Sequence, residues 1–322
     1  MEKKIKIAFF WTWNFSANIL KSLLEDFKNN IEVKLVVSQP DKPVWRKKIL
    51  EKTPVKIVAE NNNLEILQPN KIKDNKEFFR KLNSLDLDFI VVVAYWKIVP
   101  KEVLAAPKNW CINIHWSILP AYRWASPIQE SIKSWDKKTW LTIMYMSEGM
   151  DEWDILSVQE IEIWENYTTI DLFKKFEEFW PKLLVDTLRW VLNWTILWKK
   201  QDDSKATYCS KILKTDWKIN FLKESWKQIY NKFRAYYPWP WIYTYYKGKK
   251  LNLEDIILLP VPQDFGKLLP GKVEKIDKKN IWIICNDNKI LLLKQVKLEW
   301  KKSIDILSFV NGNKEFLDYK FD

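Results

Sequence analysis

Five glycines in 322 residues leave this chain few places where the backbone can turn left-handed without strain, and 21 tryptophans stand where such places are expected. Ordinary usage puts Gly near ~7 %, or roughly 23 in a chain this long. Here Trp and Gly together come close to that number, so the anomaly is the split between them. Many of the indoles sit beside Asn, Asp, Ser or Lys, in "KNWC", "KSWDKKTW", "DEWD", "IEIWEN", "LNWT", "KTDWK" and "LEWKK". Those neighbours favour turns whose partner is usually Gly, which reaches positive φ without a Cβ clash. Left-handed geometry costs any other L-residue ~1–2 kcal/mol, so about ten such sites consume most of the ~5–15 kcal/mol that separates folded from unfolded. The split predicts an alternative genetic code, with most Trp letters being UGA codons that the source reads as Gly. A chain that is Trp-rich in fact is the other reading.

Length predicts two domains, either able to bury a core. No segment approaches the ~18 uninterrupted apolar residues of a membrane span, and "MEKKIKIAFF" has too short an apolar run for a secretory signal. A cytoplasmic protein without a membrane partner is expected, with a monomer as the default. Cys111, Cys209 and Cys285 are odd in number and lack CxxC spacing, which predicts reduced structural thiols. The net charge of +12 favours a polyanionic partner, although a Lys-rich, AT-biased genome gives the same bias without function. Clustering is more informative: "DKPVWRKKILEKTPVK" gathers Lys42, Arg46, Lys47, Lys48, Lys52 and Lys56 in a loop-like stretch suited to phosphates.

The first half alternates short apolar runs with amphipathic segments, the pattern of a mostly parallel sheet covered by helices. "IKIAFF", "EVKLVVS", "DFIVVVAY", "CINIHW" and "LTIMYM" read as strands; "ANILKSLLEDFKN", "NKEFFRKLNSL" and "SPIQESIKS" read as helices; "DILSVQEIEI" reads as hairpin-like. Thr168 with Asp171 resembles a capping box opening a long helix, which Pro181 kinks or restarts. Composition then shifts, giving a first domain over 1–193, a polar linker over 194–206 and a second domain over 207–322. In the last, "FLKESWKQIYNKFRAY" is a helix and the remainder short, closely spaced strands, as in a small barrel.

No full GxGxxG is present even if Trp11 is read as Gly, which argues against a dinucleotide site. Asn113 and His115, the only histidine, stand two apart at the end of a predicted strand. Alternation puts both on one face, at the carboxyl edge where open α/β sheets hold ligands. Asp151 follows the next strand and can approach the same edge. Taken alone, N-x-H also fits a structural histidine, and Asp151 an ordinary turn residue. No His/Cys/carboxylate cluster has metal-ligand spacing, so no metal is expected.

The runs "VVSQPDKP", "VVVAYWKIVP", "NIHWSILPAYRWASPIQ", "LTIMYMSEGMDEWDIL" and "FRAYYPWPWIYT" resemble, in order and over essentially the whole chain, the methionyl-tRNA formyltransferase family. The resemblance implies a Rossmann-like α/β domain followed by a small OB-like β-barrel domain that holds tRNA. It implies formyl transfer from 10-formyltetrahydrofolate to the α-amine of methionyl initiator tRNA. By the same match Asn113, His115 and Asp151 are the catalytic trio. Ser117, Ile118, Leu119 and Pro120, with Lys97, Ile98 and Val99, bind the folate. Lys42, Arg46, Lys47 and Lys48 meet the tRNA. The family has Gly where this chain has Trp11, Trp96, Trp110, Trp124, Trp140 and Trp153, and often at Trp116. At Trp239 it has Trp, and at Trp13 usually Pro, where this chain departs from the pattern. Other formyltetrahydrofolate-using transferases or hydrolases, and a non-catalytic RNA-binding relative, remain as alternatives.

Overall fold

The structure is a computed structural model that describes residues 3–11, 14–44, 49–93, 95, 99–258, 269–275, 277 and 279–321; at 14–16, 44 and 49 it describes the backbone alone. The chain divides into two compact units. The first comprises Met1–Pro127, Lys138–Glu162 and Phe173–Cys209; the second comprises Ile128–Lys137, Ile163–Leu172 and Ser210–Asp322.

In chain order the elements through the long helix are β1 (Ile5–Phe10), α1 (Asn14–Glu25), β2 (Ile31–Val37), β3 (Lys42–Val44), β4 (Ile49–Glu51), α2 (Pro54–Asn61), β5 (Ile66–Leu67), α3 (Lys76–Ser84), β6 (Phe89–Val92), α4 (Lys101–Leu104), β7 (Trp110–His115), β8 (Arg123–Trp124), α5 (Pro127–Lys133), β9 (Lys138–Tyr145), β10 (Ile155–Glu162) and α6 (Thr169–Leu192). The first unit is built on a seven-stranded sheet in the order β10-β9-β7-β6-β1-β2-β5. Strands β5, β2, β1, β6 and β7 are parallel, whereas β9 and β10 run antiparallel. The parallel strands are near-continuous apolar runs because helices cover both faces: every residue of β6 is buried. One face packs Ala8, Phe10, Leu35, Ile90 and Val92 against Phe78 and Leu82 of α3. On this α/β scaffold the predicted Rossmann-like arrangement is realised.

Two local expectations change. Residues 154–163 contain no hairpin; "ILSVQEIE" lacks Gly, Pro, Asn and Asp and forms the single strand β10, whose partner in the hairpin is β9. Helix α6 continues through Pro181 instead of restarting there. Its start is held as the Thr168–Asp171 spacing predicts, since Asp171 Oδ2 accepts from the Thr168 N–H at 2.9 Å and from its hydroxyl at 2.7 Å.

The remaining elements are β11 (Tyr208–Cys209), α7 (Trp226–Tyr236), β12 (Ile242–Tyr246), β13 (Lys249–Leu258), β14 (Val273–Lys275), β15 (Ile281–Ile284), β16 (Ile290–Leu298), β17 (Ile304–Asp305) and α8 (Ile306–Gly312). In the second unit the strands make one antiparallel sheet, β12-β13-β16-β15-β14, with β17 on β16. Register shifts at Asp255 interrupt the β13–β16 ladder, and bulges of this kind curl a sheet toward a half-barrel. Helix α7 opens on a full capping box between Ser225 and Gln228. Among the described residues no helix is long and apolar enough to cross a membrane. All three cysteines are buried, and burial pushes the thiols of Cys111 and Cys285 well above the usual range.

Candidate active site

Strand β7 lies inside the sheet between β6 and β9, and it delivers Asn113 and His115 from the same face. Strand β9 is antiparallel, so it ends level with Ile112 rather than with His115. The loop after it therefore has to carry Asp151 back to the pair. Asn113 Nδ2 donates to Asp151 Oδ1 at 3.2 Å, and His115 Nδ1 stands 3.6 Å from Asp151 Oδ2. Both side chains of the His–Asp pair are largely withdrawn from water, at 7 % and 14 % exposure. Little solvent screens the imidazole from the carboxylate there.

A short segment, Tyr122 to Trp124, completes the arrangement. His115 Nε2 is 2.8 Å from the Tyr122 carbonyl oxygen. A carbonyl only accepts, so that nitrogen carries the proton and Nδ1 is the position that faces Asp151. The Trp124 N–H donates to Asp151 Oδ2 at 2.9 Å. Three residues here are left-handed without being glycine: Tyr122 (φ 58°), Trp124 (φ 85°) and Asp151 (φ 59°). Each costs ~1–3 kcal/mol and persists only where the surroundings hold it, a condition concentrated at functional sites.

The other residues singled out in the sequence are placed as follows. Ser117 is buried, its hydroxyl donating to the Ala121 carbonyl at 2.5 Å, while its own carbonyl accepts from the Thr142 hydroxyl at 2.6 Å. Leu119 is buried, Pro120 partly so, and Ile118 is exposed. Val99 is buried in the core cluster with Phe10, Tyr95 and Cys111. Lys97 and Ile98 lie outside the described residues, as do Arg46, Lys47 and Lys48. Lys42 is exposed on β3, paired in register with Glu51 of β4. The base of that hairpin is fixed by Asp41, which accepts from Lys56 Nζ at 2.6 Å and from Gln68 Nε2 at 2.7 Å. Burial pushes the Asp41 carboxyl up, but the hydrogen bonds from Lys56, Gln68 and the Thr53 N–H outweigh it and hold the group below its ordinary value.

Sequence reasoning assigned no role to Arg123 or Gln201. Both are buried beside the trio, and they hydrogen-bond to each other at 2.8 Å. An arginine inside an otherwise turn-forming run was the available signal for the first; for the second there was none. Among the described residues no group of three or more His, Cys, Asp or Glu side chains could hold a metal ion.

Geometry of this kind, an amide, an imidazole and a carboxylate gathered beside one strand of a Rossmann-like unit, suits transfer of an acyl-type group, and the comparisons give the class. Residues 5–188 match the formyl transferase family model and residues 211–314 match the model of the formyl transferase C-terminal domain. Solved formyl-handling proteins share the fold. An N-formyltransferase from Helicobacter canadensis, in complex with folinic acid and dTDP-3-aminofucose, has a TM-score of 0.63 at 18 % identity, covering 91 % of this chain and 99 % of that one. HypX from Aquifex aeolicus, in complex with tetrahydrofolic acid, has a TM-score of 0.63 at 16 % identity over 98 % of this chain, which spans only 47 % of that protein. Sequence narrows the class further. The methionyl-tRNA formyltransferase of Caldicellulosiruptor saccharolyticus is 44 % identical over 308 residues, 96 % of this chain and 97 % of its relative. This chain belongs to the methionyl-tRNA formyltransferase family, and it is a formyl-transferring enzyme.

Proposed function

We propose that this enzyme moves the formyl group of 10-formyltetrahydrofolate onto the α-amine of methionine esterified to initiator tRNA, with Asn113, His115 and Asp151 as the reacting groups. The observation that carries the reading is the trio itself, with Asp151 within 3.2 Å of the Asn113 amide and 3.6 Å of the His115 ring, in a chain aligned end to end with enzymes of that name. As the amine lone pair adds to the formyl carbon, negative charge builds on the formyl oxygen and positive charge on the nitrogen. The second N–H of the Asn113 amide and the His115 Nε2–H, shared with the Tyr122 carbonyl, stabilise the oxygen. Asp151 takes the proton that the amine loses, directly or through a water. Collapse breaks the bond between the formyl carbon and N10 of the folate, and N10 gains a proton, leaving tetrahydrofolate and the formylated aminoacyl-tRNA. Ser117 to Pro120 and Lys97 to Val99 flank the folate in this reading, and Lys42, Arg46, Lys47 and Lys48 meet the tRNA. The protein works in the cytoplasm, where charged tRNA and reduced folate are found.

The test is formyl transfer by the purified chain to methionyl initiator tRNA, run beside an amino sugar nucleotide and water as acceptors. Transfer to either of those and none to the tRNA overturns the acceptor. In H115A, kcat is expected to fall by roughly 10²–10⁴ with folate affinity nearly unchanged. A fully active H115A removes the assignment of the trio.

We further propose that the protein made in its source carries glycine at Trp124, Trp135, Trp194, Trp241 and Trp300. All five have φ between 55° and 85°, where an L-residue with a Cβ costs ~1–2 kcal/mol. Trp194 and Trp300 are 76 % and 86 % exposed, so packing does not offset the strain. Trp239 is not among the left-handed residues and stays tryptophan in this reading. Peptide mass spectrometry of protein from the native host decides it; an indole at 194 or 300 is the overturning result.

A further inference from the structure

Gln201 lies between α6 and β11, in a stretch whose composition predicts an ordinary polar linker, yet its side chain is only 6 % exposed. Both ends of the carboxamide are used. Its Oε1 accepts from Arg123, at 2.8 Å from Nη2 and 3.3 Å from Nε. Its Nε2 donates to the backbone carbonyls of Asp151 and Trp153, at 3.0 and 2.6 Å. A guanidinium only donates and a carbonyl only accepts, so one orientation of the amide is workable. Arg123 is 2 % exposed, and its Nη2 also reaches Asp203 at 2.7 Å.

The segment that carries Gln201 is stitched down on both sides. Before it, Lys199 exchanges backbone hydrogen bonds with Ile155 at 2.8 and 2.9 Å. After it, β11 pairs in parallel with β8, and the Thr207 hydroxyl accepts from the Tyr122 N–H at 2.9 Å. The carboxamide therefore comes from fixed backbone and meets two loops of the site. One loop holds Asp151 in its left-handed conformation through the carbonyl that Gln201 grips. The other contains Arg123, whose neighbours supply the carbonyl beside His115 Nε2 and the N–H on Asp151 Oδ2.

We propose that Gln201 and Arg123 are positioning residues for formyl transfer: the carboxamide ties the Asp151 backbone to the 122–124 loop, so that carboxylate and imidazole are held together before substrate arrives. The proposal rests on the reading of Asn113, His115 and Asp151 as the reacting groups. Neither residue touches the reacting atoms; each acts through Asp151 and His115.

Gln201→Glu separates this role from simple packing. It keeps an oxygen for Arg123 and removes the N–H groups that face the Asp151 and Trp153 carbonyls. With its fold retained, Q201E is expected to lose about 10²-fold in kcat, the scale of a small misplacement, while KM for folate and for tRNA stays near the parent's. His115 is the chain's only histidine, so its ring resonances in an NMR spectrum report the site without any turnover. They are expected to shift in Q201E at fixed pH. Arg123→Lys, which keeps the charge but not the fork that meets Gln201, is the second variant and is expected to do the same. Unmoved His115 resonances in a folded Q201E or R123K overturn the proposal, as does kcat at the parental value. A parent that transfers no formyl group, with resonances that still move in the variants, refutes the catalytic reading and leaves the positioning geometry standing.

Discussion

His115 owes its position to neighbours that fix each of its nitrogens separately. Nε2 is committed to the Tyr122 carbonyl at 2.8 Å, which leaves Nδ1 as the nitrogen that faces Asp151, 3.6 Å from its Oδ2. The left-handed tryptophans make a separate prediction. Trp300→Gly and Trp194→Gly relieve ~1–2 kcal/mol of backbone strain against ~0.5–1 kcal/mol of glycine's extra freedom when unfolded, so both variants should be as stable as the parent or up to ~1.5 kcal/mol more so. Trp239→Gly, also exposed but not left-handed, has no strain to relieve and should be less stable. Urea denaturation of the three separates the cases; a clear loss in W300G and W194G would count against glycine geometry at those sites. Asn113 and His115 were legible in the sequence as a pair because a strand repeats every two residues. Gln201 was not, since its value lies in two carbonyls that only the folded chain brings to it.

Elements were legible where a pattern runs long enough to repeat. The buried strands β1, β2 and β6 announce themselves as apolar runs, and α6 by its amphipathic length. Strands β8 and β11 have two residues each and carry no period, so their pairing was invisible. The β3–β4 hairpin is short as well, and its base depends on a polar cluster instead of a core: Asp41 bonded to Lys56 and Gln68. The Asp41 carboxyl is more acidic folded than unfolded, so as pH falls the unfolded chain takes up the proton first. The stabilisation is complete above the ordinary carboxylate range and vanishes as pH drops through the depressed value. Asp41→Asn should therefore lower stability near neutral pH, and the gap to the parent should narrow steadily in acid. Denaturant midpoints from pH 7 to pH 3 measure this; a gap that stays constant would show that Asp41 titrates alike in both states.

For the molecule as a whole, the excess of twelve positive charges fits a substrate with a phosphate on every nucleotide. Each contact that displaces a counterion steepens the dependence of affinity on salt, so tRNA binding should weaken by about tenfold or more between 50 and 200 mM salt. Lys42→Ala should make that slope shallower while folate affinity holds. Titrations at four salt concentrations give the slope, and a flat line would mean that the charge reflects composition alone. The α/β-then-β order was readable from the sequence because the apolar pattern changes along the chain.

The pairing of β8 with β11 also bears on dissection of the gene. A fragment ending at residue 188, where the match to the first family model stops, encodes Asn113, His115 and Asp151 but neither Gln201 nor Thr207. Such a piece retains the proposed reacting groups and lacks the proposed buttress, and supplying residues 199–209 as a separate peptide is the natural way to ask whether the three side chains snap into register.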